Sequence, residues 1–408
     1  MRHPTLRTFV RSRDLPDDEP AHADFHDRLA DLARAVTVDR LGLPELATTA
    51  EQRRGEWAHD PAHVCEAALA VDAGGRDLGA WVVSLPVREN LDAADVEILD
   101  PPQGGRTDDE ADALHAALLA DALATVRRHG REVVFTREVP GELVGESLDP
   151  VVLARHSEET VGPSPRFSLV HGLPSAAAVP VRSGFGAVPR SDRSVRRMTA
   201  AGYVPVQLER ISVLDLTDPP VRDDTGRRRD PSSAGGGQGP ARSAGDPAAV
   251  RAVSWVDDTP DEWAAQIADL HTVFEATVPT GGAGLEPEVW DVTRLREAEE
   301  AARAVGVVRI VSAIAEGDRL LAFTLFEQMP GSPLVFQEHT VVRPEARGSG
   351  LAAAVKRANA AHLRAVSPDA GIVCTWNAVE NGAMLAVNAK AGFRPFAFTI
   401  LWELRLTT

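Results

Sequence analysis

Lysine is almost missing from this sequence. Lys356 and Lys390 are the only two in 408 residues, so arginine carries nearly all the positive charge. Cysteine occurs twice, at Cys65 and Cys374, far apart and without metal-type spacing. That excludes a disulfide framework and a thiolate metal cluster, and makes a reducing cytosol the expected compartment. No apolar run approaches the length of a membrane span. The opening Met1-Arg2-His3-Pro4 leads into charged sequence with no apolar core, unlike a signal peptide. A soluble, cytoplasmic protein is expected. Positive charge is short overall: 43 Lys and Arg stand against 60 Asp and Glu, a net charge of -17. Such a surface repels phosphate, which argues against nucleic acid and an anionic membrane as partners. It aids solubility and is compatible with a cationic amine substrate.

What is present is concentrated around one stretch, Val341-Val342-Arg343-Pro344-Glu345-Ala346-Arg347-Gly348-Ser349-Gly350-Leu351-Ala352. The apolar run Leu334 to Val342 reads as a strand. The turn after it opens directly into a helix with Leu351, Val355, Ala358 and His362 on one face. Gly348 and Gly350 have no Cβ, so the backbone can bring its N–H groups against a ligand. Those groups stand at a helix N-terminus, where the dipole favours negative charge, and Arg347 adds a cation. These features describe a pyrophosphate cradle. No Gly-Lys-Ser/Thr ending is present for a P-loop, and no Gly-x-Gly-x-x-Gly for a dinucleotide fold. Taken alone, the loop is also compatible with an ordinary strand-to-helix turn.

A second block follows: a short apolar strand, Ile372 to Trp376, then Asn377, Asn381, Met384, Asn388 and Gly392-Phe393. The pattern Arg347-x-x-Gly350-x-Ala352 after Val342-x-Pro344 resembles the acyl-CoA pyrophosphate loop of the GNAT N-acetyltransferase superfamily. The string Thr375-Trp376-Asn377…Asn381…Met384…Asn388…Gly392-Phe393 is similar to the closing half of a GNAT domain. Together they cover the last third of the chain.

The first half repeats the same order of elements. Helical patterns at Asp24 to Ala35 and Leu43 to Ala58 precede strands at Cys65 to Val71, Leu78 to Leu85 and Val96 to Leu99. A helix, Asp109 to Arg128, and a strand, Glu132 to Thr136, follow. The tail Met198 to Tyr203, then strand Val204 to Leu216, parallels Met384 to Phe393, then Phe396 to Leu406. The second half has a hairpin, Val307 to Ile314 and Leu320 to Phe326. An internal duplication is expected. The fold class is α/β (α+β): two tandem GNAT-like domains, each a mixed, mostly antiparallel twisted sheet flanked by helices. Residues 1–217 form the first and 251–408 the second. Residues 218–250, rich in Gly, Ser, Pro and Arg, read as a flexible linker whose Arg227-Arg228-Arg229 is a solvated charge run. Residues 1 to about 22 read as a loose arm.

The two copies differ at the loop. The first half has Leu99-Asp100-Pro101-Pro102-Gln103-Gly104-Gly105-Arg106-Thr107-Asp108-Asp109-Glu110, which lacks Arg-x-x-Gly-x-Ala and begins its helix with carboxylates that repel an anion. Acetyl-CoA as co-substrate is therefore expected on the second half alone, without a metal, the first half packing against it and walling the acceptor cleft.

The resemblance implies roles. Arg347, Gly348, Ser349, Gly350, Leu351 and Ala352 would hold the pyrophosphate. The backbone of Val341, Val342 and Arg343 would carry the pantetheine arm and polarise the thioester. Asn377 and Asn381 would lie at the mouth of the site, Asn377 as a candidate catalytic residue as well as a cofactor contact, and Asn388 would contact the cofactor. Glu338 and His339 are the candidate bases, expected on opposite faces of the strand, with Thr340 on the face of Glu338. The family's tyrosine acid is replaced by Asn388. The only tyrosine, Tyr203, sits in the first half at the position of Phe393. Cys374, in an apolar strand, reads as an inert core thiol. The implied activity is acetyl transfer to a small primary amine in a ternary complex. Two alternatives stay open: a non-catalytic acetyl-CoA-binding regulator, and an amino-sugar conjugate acetyltransferase like the tandem GNAT enzyme mycothiol synthase. The acceptor and the oligomeric state are not specified by the sequence.

Overall fold

A computed structural model describes residues 6–15, 19–102, 106–148, 166–216, 250–329 and 331–406. The first half runs β1 (Leu6–Arg11), α1 (Glu19–Leu41), α2 (Ala50–His59), β2 (His63–Asp72), β3 (Asp77–Pro86), β4 (Ala93–Leu99), α3 (Asp108–Arg128) and β5 (Val133–Glu138). Four short strands follow, β6 (Glu142–Val144), β7 (Ser168–Val170), β8 (Ala178–Pro180) and β9 (Ala187–Pro189), then α4 (Arg193–Ala200) and β10 (Val204–Asp215). The second half runs β11 (Val250–Val256), α5 (Asp261–Glu275), α6 (Val292–Ala304), β12 (Val308–Glu316), β13 (Arg319–Gln328) and β14 (Leu334–Val342). It closes with α7 (Leu351–Val366), β15 (Ile372–Ala378), α8 (Gly382–Lys390) and β16 (Arg394–Arg405). The short strands aside, the two halves have one order of elements.

The expected loose arm is corrected by the structure. Leu6–Arg11 pairs antiparallel with β2, and α1 begins at Glu19. The second expected helix starts later than the apolar pattern suggested, at Ala50, because Thr49 and Gln52 form a capping box there. The sequence reading did not identify β11, α5 or α6. The expected linker, apart from Val250, and Gln103-Gly104-Gly105 of the first-half loop lie outside the described residues.

Twelve strands form one mixed sheet in the order β1-β2-β3-β4-β5-β16-β10-β15-β14-β13-β12-β11. Only β4/β5 and β14/β15 are parallel pairs in it. The last strand of each half is exchanged. β16 pairs antiparallel with β5 (Ile400↔Glu138 to Arg405↔Val133), and β10 with β15 (Glu209↔Ala378 to Asp215↔Ile372). The exchanged strands meet each other at the centre, from Val204↔Glu403 to Val213↔Arg394. Apolar alternation drives this. β16 sends Phe398, Ile400 and Trp402 into the first-half core beside Trp81, and β10 sends Ile211 and Val213 against Leu334 and Cys374. In the second half, α5 and α6 cover one sheet face through Trp263, Ile267 and Leu295. On the other face, α7 packs Val355 and Leu363 against Ile310, Ile314 and Phe326.

Candidate active site

β14 and β15 run parallel for three pairs, Leu334↔Ile372, Val335↔Val373 and Phe336↔Cys374, and beyond that point they no longer pair with each other, β14 staying on β13 and β15 on β10. The strands fork, and the edge of β14 facing the fork is open up to Val342. Which amides face it follows from the β13 side. The Arg343 N–H donates to the Leu321 carbonyl at 2.9 Å. By the alternation of an antiparallel ladder, Val341 also turns its amide to β13, whereas the N–H and C=O of Val342 face the fork. Of the three amides singled out in the sequence, Val342 therefore has the one on the open edge. Its carbonyl accepts from Arg347 Nε at 3.3 Å. The Arg343 guanidinium turns away, to Asp269 at 2.6 Å and the Leu320 carbonyl.

Just before this edge the β13/β14 register slips. Thr324 pairs with Thr340 and Phe326 with Gln337, leaving Glu338 and His339 opposite Leu325 alone. This β-bulge corrects the expectation that Glu338 and His339 project to opposite faces. The His339 ring packs on Phe274 and His271 of α5 at 4.3 and 4.9 Å. Glu338 shares the influence of Arg309 with His339 and lies near Glu327. Both sit on the α5/α6 face. Thr340 is on the other face, bonded to Thr324 at 2.8 Å, as is Gln337, which meets Lys356 of α7.

The two bulge residues have opposite acid–base character. Glu338 keeps contact with solvent, yet the protein around its carboxyl pushes its pKa up to about 7, with Glu327 adding and Arg309 opposing. Burial and then Arg309 push the His339 imidazole down to about 4, and its Nδ1 is buried without a partner. On the same face, Leu41, Leu43 and Leu46 of the first half pack against the cluster containing Phe336 and Trp376. Glu56 of α2 feels the charge of Glu327. The first half thus supplies part of the wall on the Glu338 side of the fork.

Past Val342 the chain makes a short turn, Pro344–Ala346, and enters α7 through Gly348 (φ 78) and Gly350 (φ 82). Both φ values lie in the left-handed region, which glycine tolerates. A Cβ at either would meet nothing within 4 Å, so the space above them is open. Gly350 is the N-cap of α7 and offers no side-chain acceptor, and the first turn holds no acid. Among the described residues the amides of Gly348, Ser349, Gly350, Leu351, Ala352 and Ala353 have no intramolecular acceptor. Arg347 makes no ion pair among them either. Ser349 Oγ donates to the Ala346 carbonyl, which stiffens the turn.

The equivalent helix of the first half is closed. Thr107 and Glu110 form a capping box at the start of α3, and Asp108, Asp109 and Glu110 fill its first turn. Arg193 and Arg197 of α4 tie this end down through Asp108 and Asp112 at 2.6–2.9 Å, and Arg197 reaches Asp100 at 2.7 Å. Burial opposes the charge on Asp100, but His115, Arg40 and Arg197 hold its pKa down to about 2. A cavity of ≈ 220 Å³ lies beside the first-half fork, at Asp95, Phe135 and Arg137. Its charges are matched internally, Arg294 pairing with Glu89 and Glu288 at 2.7 Å each.

The remaining expected residues lie on the α7/α8 side of the second-half fork. Asn388 is fully buried and its Nδ2 donates to Asn377 Oδ1 at 2.6 Å, while Asn388 Oδ1 has no partner. Asn381 caps α8, accepting from the Met384 N–H at 3.2 Å. Tyr203 is 2% exposed in the first-half core, in a cluster that also takes in Val379 and Leu385, and burial raises its pKa. Cys374 is buried with its thiol pKa pushed up, as an inert core residue should be. Sequence reasoning missed the bulge and the charged neighbours Arg309 and Glu327, because strand pairing alone brings them beside Glu338. No group of His, Cys, Asp and Glu among the described residues is placed to hold a metal. No described helix is long and apolar enough to cross a membrane.

No family model and no curated protein sequence matches the chain. Solved structures do. A tandem GNAT protein from the clavulanic acid biosynthesis pathway superposes with a TM-score of 0.65 at 22% identity, over 98% of this chain and 99% of that one. A GCN5-related N-acetyltransferase from Sphaerobacter thermophilus gives 0.53 at 15% identity, over 98% and 97%. The GCN5-related glucosamine N-acetyltransferase region of a fungal multi-domain β-N-acetylglucosaminidase gives 0.51 at 12%, over 98% of this chain and 38% of that one.

Proposed function

The chain has the tandem GNAT fold, and we propose that it is an acyl-CoA-dependent N-acyltransferase that moves the acetyl group of acetyl-CoA to a primary amine of a small molecule. One observation carries the reading. The uncapped start of α7, with six amides free of intramolecular acceptors beside Arg347, adjoins a strand fork with an open edge. The same place in the first half is sealed by its own carboxylates and arginines. Pyrophosphate would sit on the amides from Gly348 to Ala353, where the dipole and Arg347 favour negative charge. The pantetheine arm would enter the fork along β14, and the Val342 N–H would donate to the thioester oxygen as negative charge develops there.

The amine would approach from the α5/α6 face. An ammonium must lose a proton before it can attack, and Glu338, with a pKa of about 7, is suited to take it near neutral pH. The carboxylates Glu327 and Glu56 on that side favour a cationic acceptor. The amino-sugar acceptor has fold-level likeness alone behind it. A non-catalytic acetyl-CoA-binding role is favoured by one residue, Asn388 in the place of the family's tyrosine. A panel of amines incubated with acetyl-CoA and followed by mass spectrometry separates the two readings. Acetylated product supports the enzyme; tight CoA binding with no product across the panel would overturn it in favour of the regulator.

A further inference from the structure

Lys356 is one of two lysines in the chain and is 4% exposed. It projects from α7 toward the fork. Its Nζ donates to Gln337 Oε1 at 2.9 Å, and Gln337 is the first residue of β14 beyond the last β14/β15 pair. The ammonium also lies 5.6 Å from the centre of the Phe393 ring. It makes no ion pair among the described residues, and one bond to Gln337 leaves an ammonium with donors to spare. Val373 belongs to the cluster under α7, so Thr375 and Asn377, two and four residues on, share that face. Thr375 Oγ1 donates to the Gln337 carbonyl at 3.3 Å across the fork. Gln337, Lys356, Thr375, Asn377 and Asn388 thus form a polar floor between α7 and α8. Within it the buried Asn388 Oδ1 is without a partner.

This floor lies where a pantetheine thiol would end if its pyrophosphate rests on the start of α7. We propose that Lys356 is the general acid that protonates the departing CoA thiolate, in place of the tyrosine missing at Asn388. The inference rests on the acyl-CoA reading. The amine nitrogen bonds to the acyl carbon, and the carbon–sulfur bond breaks with its electron pair going to sulfur. Sulfur takes a proton from Lys356 Nζ; Glu338, having passed the first proton of the acceptor ammonium to solvent before attack, takes the second from the nitrogen as the amide forms. Solvent then returns the proton from Glu338 to Lys356. Burial alone depresses the Lys356 pKa, to about 7; no charged side chain of the packed strands or of α8 contributes. Both protonation states are therefore accessible near neutral pH.

The test reads the thiol directly. Ultraviolet difference spectra of protein-bound CoA against bound desulfo-CoA report thiolate formation as pH is raised. The thiol should ionise about one pH unit or more lower in the wild type than in Lys356→Met, because a facing ammonium favours the thiolate. With an amine acceptor, kcat of the variant should fall about 10²-fold with little change in KM for acetyl-CoA. Lys356→Gln serves the same comparison if the methionine variant fails to fold. A wild-type measurement needs neither: the ratio of CoA to desulfo-CoA affinity should rise with pH across thiol ionisation. Binding of both ligands with a flat ratio, or an identical thiol pKa in wild type and variant, overturns the role of Lys356 and leaves the CoA site standing. Failure of both ligands to bind overturns the CoA reading itself, and this inference with it.

Discussion

Glu338 and His339 are neighbours in sequence and on one face of the sheet, yet their surroundings drive them apart. The protein packed around the Glu338 carboxyl, and then Glu327, raise its pKa although the residue keeps contact with solvent, whereas burial lowers the His339 imidazole. A base must be unprotonated to act and an acid protonated, so kcat/KM rises through about pH 7 as Glu338 ionises and, with Lys356 as the acid, falls again as the ammonium is lost. Glu338→Gln should lower kcat roughly 10²–10³-fold and remove that rise. His339→Gln should leave the rise in place; its loss there would assign the base to His339. The same shift affects stability. Between the carboxyl's ordinary value of 4.5 and about 7, the folded state holds a proton that the unfolded state has released. Stability from this group therefore falls as pH rises through that window. Urea unfolding of Glu338→Gln across it should show a shallower decline with pH than the wild type.

At the scale of the element, α3 and α7 are one helix built twice with opposite ends. α3 satisfies its first amides with Thr107 and Glu110, which stabilises the helix and removes its affinity for anions. α7 leaves its first amides open behind Gly350. Gly350→Val should therefore weaken CoA binding at least about 100-fold by calorimetry: φ 82 is unfavourable for valine and the side chain fills the open space over the amides. Thr107→Ala should cost about 1 kcal/mol of stability and leave CoA affinity unchanged. An unchanged affinity in the Gly350 variant would remove the cradle from the site. The asymmetry was legible beforehand, because capping is local and its residues are adjacent in the chain. The β-bulge was not: it exists only between β13 and β14, and β14 by itself alternates normally.

The whole molecule is held together by its exchanged strands. Trp402 is fully buried in the core of the half that it does not belong to by chain order, where removing such a ring costs about 3–5 kcal/mol. Neither half closes its own sheet. A chain cut between Gly236 and Gly237 should therefore stay associated on gel filtration, and either fragment expressed alone should be unfolded or aggregated by circular dichroism and light scattering. A monomeric, folded fragment of residues 251–408 would contradict the exchange.

What the sequence determined by itself was whatever depends on short range: the repeated run of hairpin, strand, helix and strand, the glycine turn into α7, the acidic start of α3, and the apolar alternation of the strands. Alternation says that β10 and β16 bury one side, but not whose core receives it, since both cores offer similar apolar surface. Tertiary structure alone decided the partner of each last strand, the common face of Glu338 and His339, and the placing of Lys356 beside Gln337. These depend on pairing across many residues of chain, where the register is chosen by packing and by no local pattern.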